Sequence, residues 1–122
     1  MAERTYDLES RLLAYSAMIV RLTEQLPRTR SGNHVAAQLL RSGTSPLANH
    51  AEAQAAESTP DFIHKLKICL KELRETKRWL RLVLQVPMVR SATQAKAALQ
   101  ETDELVRIFA ASIRTAEKRR NT

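Results

Sequence analysis

The 122-residue chain is poor in residues that staple, break or stack: it holds one cysteine, 2 Gly, 4 Pro and five aromatic side chains in all. A single cysteine, Cys69, excludes an intramolecular disulfide framework and any multi-cysteine zinc site. Its helical neighbours Leu66, Leu70 and Leu73 mark it as a small buried hydrophobe. The glycines and prolines punctuate the chain without pervading it, and β-branched residues are scattered with no sustained alternation, so strand signals are nearly absent. So few aromatics make poor stacking platforms for single-stranded bases. No apolar run approaches the roughly 18 residues needed to cross a bilayer, and the opening MAERTYDLESR carries acids where a signal peptide would carry a hydrophobic region. A soluble, cytoplasmic protein without a membrane partner is expected, and 122 residues suffice for one domain, 1–122.

What the chain does contain is Ala, Leu, Arg, Glu, Gln and Lys, all strong helix formers. The class is therefore all-α. Four segments are predicted, at about 6–26, 32–58, 60–86 and 91–118. The first follows Thr5 as N-cap and aligns Leu8, Leu12, Tyr15, Ile19, Leu22 and Leu26 at the spacing of a bundle core; Pro27 ends it. The second contains Gly43-Thr44-Ser45-Pro46. Proline removes one helical hydrogen bond and crowds the carbonyl four residues back, so the segment is either two short helices or one kinked near Gly43–Pro46. Matching the length of the other helices favours the kink. Ala36, Leu40, Leu47, Ala48 and Ala51 offer a small-residue face for close helix approach.

The third segment opens on Thr59 as N-cap and Pro60 at the first helical position. Its apolar face comprises Phe62, Leu66, Cys69, Leu73, Leu80 and Leu84, with Ile63 and Leu70 at the edge and Lys77 intruding. The fourth begins at Ser91 with Gln94 three residues on, a capping box. It carries Ala95, Leu99, Thr102, Val106, Phe109, Ile113 and Ala116 inward, and residues 118–122 are expected to fray. Short connectors imply an antiparallel up-and-down four-helix bundle.

Charge is concentrated on the third segment. The chain carries 20 Lys plus Arg against 13 Asp plus Glu, a net +7, and residues 61–81 alone supply +4. Lys67, Lys71, Arg74, Arg78 and Arg81 recur at spacings of 4, 3, 4 and 3, which on a helix places them within about 80° of one another. Such a stripe suits a polyanion, and arginine forms bidentate phosphate contacts; a solvated face is the bland alternative. A third arc of the same helix holds Asp61, Lys65, Ile68, Glu72, Glu75 and the sole tryptophan, Trp79. Trp is enriched at subunit contacts, and a subunit interface is the expectation for that arc, against a Trp packed under a loop.

At RSGTSPLANHAEAQAAES followed by DFIHKLKICLKELRETKRWLR, and including LPRTRSGNHVAAQLLRSGTS, the chain resembles a known family over about Tyr6 to Ile113. The family comprises the small four-helix-bundle proteins encoded in intervening sequences of bacterial 23S rRNA genes. Relatives serve as accessory proteins of diversity-generating retroelements. The family's GTS-x-x-AN-x-x-EA pattern falls on Gly43, Thr44, Ser45, Ala48, Asn49, Glu52 and Ala53. A second pattern is met in part, at Lys71, Glu72, Glu75 and Thr76. Arg78-Trp79 stands where relatives often carry Tyr-Trp, and Pro46 where many have another residue. The resemblance implies a homopentamer of antiparallel bundles with basic surfaces. In the retroelement relatives it implies binding of nucleic acid and a reverse transcriptase.

Ser45, Asn49 and Glu52 line one helical face, as do Glu72, Glu75 and Thr76 on the next helix. Burying such groups costs several kcal/mol unless they are paired, so they read as a buried polar network that sets helix register, with a pocket as the alternative. Di-iron bundles need two Glu-x-x-His motifs, whereas only Asp61-x-x-His64 approximates one. His34, His50 and His64 read as surface or helix-end histidines, and no metal or cofactor is expected. Neither a phosphate-binding glycine loop nor a nucleophile elbow occurs, so nothing supports an enzyme. The expectation is a non-enzymatic homo-oligomer that binds RNA or DNA through its basic stripe. The rivals are a scaffold docking an acidic protein such as a reverse transcriptase, or a purely structural oligomer.

Overall fold

A computed structural model describes the backbone of residues 2–121 and the side chains of residues 8–121. Four helices account for nearly all of it: α1 (Ala2–Glu24), α2 (Arg30–Gln54), α3 (Thr59–Gln85) and α4 (Ala92–Arg120). Among the described residues there is no strand. Each helix packs on two neighbours in the ring α1-α2-α3-α4, with α1 against α4 the lightest of the four contacts.

Cross-helix pairs run in opposed numerical order at every seam. Trp79, Thr76, Cys69 and Lys65 of α3 meet His34, Ser42, Pro46 and Glu52 of α2. Lys67 and Lys77 of α3 meet Glu117 and Asp103 of α4. Arg11 and Gln25, in and just beyond α1, reach Glu101 and Gln94 of α4. Ile19 and Pro27 lie against Gly43 and Gly32. Neighbouring helices are thus antiparallel, as short connectors require.

Helix boundaries follow local chemistry. Thr29 caps α2, its hydroxyl accepting from Gly32 N at 3.1 Å. Ser58 caps α3 and accepts from Asp61 N at 3.2 Å. The expected cap, Thr59, is already the first helical residue. Because Ser58 must be extended to cap α3, α2 ends at Gln54 instead of running to about Ser58. Ser91 caps α4, but the capping box does not form: Gln94 bonds to Gln25 across the bundle end instead. Helix α4 continues to Arg120 where fraying was expected, and its last turn carries Lys118, Arg119 and Arg120 beside the negative helix end. Helix α1 begins at Ala2, so Thr5 lies within it instead of capping it; the Thr5 side chain lies outside the described residues.

Helix α2 runs unbroken through Pro46, the single-helix alternative. The Pro46 ring is buried, and its carbonyl faces the Cys69 Sγ at 3.7 Å. Close approach of α1 and α2 occurs at Gly43, where an added Cβ would stand 2.7 Å from Ile19 Cγ2. The face expected for that approach is displaced from the contact: Val35, Leu39, Ser42, Gly43, Pro46, His50 and Ala53 are buried, whereas Ala36 and Leu47 are only partly so and Leu40, Ala48 and Ala51 are exposed.

The core draws Leu12, Tyr15, Ile19, Leu22 and Leu26 from the α1 stripe, as the spacing predicts. On α3 Leu66, Cys69, Leu73 and Leu80 are buried as expected, but the buried stripe is broader than the expected face. Ile63, Glu72, Thr76 and Val83 are buried, whereas Phe62 and Leu84 are only partly so. On α4, Ala98 and Leu105 take the inward places expected of Leu99 and Val106. The arc is wide because α3 packs on both α2 and α4.

Each helix contributes one fully buried hydroxyl-bearing side chain to mid-bundle: Tyr15, Ser42, Thr76 and Thr102. The Tyr15 hydroxyl lies 2.7 Å from Thr102 Oγ1, which donates to Ala98 O at 2.7 Å. Thr76 Oγ1 lies 2.8 Å from both Ser42 Oγ and Glu72 O. Burial holds the Tyr15 phenol far above the ordinary range, so it stays protonated.

Candidate nucleic-acid interface

All five side chains of the predicted stripe, Lys67, Lys71, Arg74, Arg78 and Arg81, are exposed on α3. Helical geometry puts them on the edge of α3 that adjoins α4, because Lys67 and Lys77 of that edge reach α4 carboxylates. Lys67 Nζ lies 3.2 Å from Glu117, and Lys77, half-buried, lies 2.8 Å from Asp103. Lys77 thereby meets the apolar edge of α3 without stranding its charge. Arg78 donates to the Arg74 carbonyl at 3.3 Å. Among the described residues no carboxylate lies within ion-pair distance of Lys71, Arg74, Arg78 or Arg81. At the far end, Arg78 and Arg81 border a shallow open depression of about 510 Å³ with Leu82, Leu84 and Gln85.

The third arc of α3 faces α2 of the same chain. Glu72 is buried, and Glu75 and Trp79 are half-buried. Arg41 holds both acids, with Nη1 3.0 Å from Glu72 Oε2 and Nη2 bonded to Glu75. The Trp79 indole donates to Glu75 at 3.0 Å and meets the His34 ring edge-on at 5.9 Å. The Arg41 guanidinium gives the buried Glu72 carboxylate the charged partner that a desolvated acid requires. Two faces of α3 are therefore covered within one chain, because α3 lies between two neighbours.

Ser45, Asn49 and Glu52 do not form one cluster with Glu72 and Glu75. Asn49 Nδ2 donates back to Ser45, at 2.8 Å to Oγ and 3.1 Å to the carbonyl. Glu52 reaches Lys65 at 3.3 Å near the end of α2. Arg41, the hub between α2 and α3, had no signal in the sequence: its partners lie 31 and 34 residues away. Of the histidines, His34 and His64 are exposed, but His50 is buried, edge-on to Phe109 at 6.1 Å and 3.2 Å from Gln54 Nε2. Burial lowers its pKa below the ordinary 6.5, with Glu9 opposing weakly. It is a core residue and not the surface or helix-end histidine expected. The Cys69 thiol is pushed up to about 12 by burial, which leaves it without thiolate character. Among the described residues no group of three or more His, Cys, Asp or Glu gathers as metal ligands would, and no helix is long and apolar enough to cross a membrane.

A family model described as 23S rRNA-intervening sequence protein matches residues 7–111. The chain belongs to this family. A crystal structure of a protein of unknown function from the S23 ribosomal protein family of Bacteroides thetaiotaomicron superposes with a TM-score of 0.79 at 33% identity. That superposition covers 86% of this chain and 96% of the relative. No curated protein matches the chain. The match indicates no catalytic family. Within this intervening-sequence protein the family-like positions acquire physical roles. Gly43 permits the α1–α2 approach, Asn49 and Ser45 bond each other, Ala53 is buried, Glu72 and Glu75 hold Arg41, and Thr76 meets Ser42.

Proposed function

We propose that this intervening-sequence protein is a non-enzymatic, self-associating helical bundle that binds RNA or another nucleic acid through the basic face of α3. The observation that carries the reading is the helix-aligned row of five exposed cations, four of which have no carboxylate partner among the described residues. A merely solvated helix face normally interleaves both signs of charge. Here both acids of the α3 midsection are turned towards α2 and bound to Arg41, so the outward edge is left uniformly positive. Guanidinium and ammonium groups presented this way neutralise phosphates and release counterions, with little readout of bases.

The test is fluorescence anisotropy with a short structured RNA across a salt series. The triple variant Lys71→Ala/Arg74→Ala/Arg78→Ala is expected to weaken binding irrespective of sequence and to reduce the log–log salt slope by about 2 to 3 units. If the wild type shows no salt-sensitive affinity for any RNA or DNA, the reading fails.

A further inference from the structure

Helix α4 carries a second basic row that the single stripe does not include. Lys96, Arg107, Arg114 and Lys118 are exposed and, at spacings of 11, 7 and 4, fall within about 40° of one another on a helix. They lie on the α3 side of the outer face, because Asp103 and Glu117, which reach α3, are their angular neighbours. Glu101 and Glu104 reach Arg11 of α1 from the opposite edge. Between the α3 and α4 rows runs the seam where Lys67 meets Glu117 and Lys77 meets Asp103. The acids at this seam are thus already neutralised by lysines. Together α3 and α4 hold thirteen basic and seven acidic residues, +6 of the net +7.

Resting on the nucleic-acid reading above, we propose that the binding face is this two-row surface across α3 and α4, with Lys96, Arg107, Arg114 and Lys118 as phosphate-contacting residues, and that it fits a nucleic-acid duplex better than a single strand. Adjacent helix axes lie about 8–10 Å apart, and Lys67 to Arg81 spans about 21 Å, a length of duplex carrying about 12 phosphates. Two separated rows match two backbones displayed outward at once. A single strand would bind by stacking its bases on aromatic side chains. Among the described residues, however, Tyr15 and Phe109 are buried, Phe62 packs half-buried beside the α2–α3 turn, and Trp79 packs against His34 on the α2 side.

The experiment compares wild type, the α3 triple variant above and Arg107→Ala/Arg114→Ala/Lys118→Ala, with circular dichroism confirming helicity. The probes are a 20-base-pair RNA duplex, the matching DNA duplex and either RNA strand alone. The α4 variant is expected to lose at least tenfold in duplex affinity and to flatten the salt slope by about 2 to 3 units. Single strands are expected to bind wild type several-fold more weakly than either duplex. An α4 variant that binds like wild type while the α3 variant fails overturns the second row and leaves the nucleic-acid reading standing. Equal affinity for strand and duplex overturns the duplex preference alone. No binding by wild type to any probe overturns both.

Discussion

His50 illustrates how much one side chain's surroundings decide. Its ring sits edge-on to Phe109, bonded to Gln54, in a site that disfavours the imidazolium. A histidine whose folded pKa lies below its unfolded value binds fewer protons when folded, so stability rises with pH through that window. Thermal melts should show the midpoint falling as pH is lowered from 7 towards 5. The decline should be shallower in His50→Gln, and an unchanged slope in that variant would remove His50 as its source. The same scale marks the limit of reading from sequence. The inward places of Tyr15, Ile19 and Leu22 were legible from periodicity. The pairing of Arg41 with Glu72 and Glu75 was not, because a single sequence carries no record of which distant residues meet. His50 shares the 3–4 register of the buried Val35, Leu39, Pro46 and Ala53, and a face drawn one residue later, on Ala36 and Leu40, leaves it outside.

At the scale of the helix, caps decide where each element begins. Ser58 and Thr59 are adjacent and chemically alike, but only the Ser58 hydroxyl accepts from Asp61 N. Ser58→Ala is expected to lower stability by about 1 kcal/mol. Thr59→Ala, at the first helical position, should be close to neutral in the same denaturant titration. Equal effects would show that the cap contributes nothing. Segment number, type and approximate bounds were legible because amphipathic runs between Pro27, Ser58 and Pro87 are long and regular. The width of the buried α3 stripe was not legible, because a helix between two neighbours buries polar residues such as Glu72 and Thr76 beside its apolar ones.

For the whole molecule the charge and the apolar surface are distributed unequally. The α3–α4 side is basic, with Leu82 and Val86 exposed at the C-terminal end of α3. The α1–α2 side leaves Leu13 (61% exposed), Val20 and Leu40 uncovered in the single chain. We propose that this apolar seam joins subunits, with the homopentamer that the family resemblance implies as the expected state. Light scattering should then return about five times the 13.8 kDa of one chain, and Leu13→Lys should shift the particle towards smaller species. A monomeric wild type would sink the proposal. Assembly through α1 and α2 would leave every copy of the two basic rows facing outward.

The four buried hydroxyl-bearing residues have a consequence beyond their own bonds. A bundle held by hydrophobic faces alone tolerates sliding, since a helix displaced by one turn, about 5.4 Å, still presents grease to grease. Here such a slip would leave Tyr15 without Thr102, or Ser42 without Thr76, in a dry interior. The polar layer acts as a ruler fixed at one height on every helix, and the cations on the outside inherit its graduations.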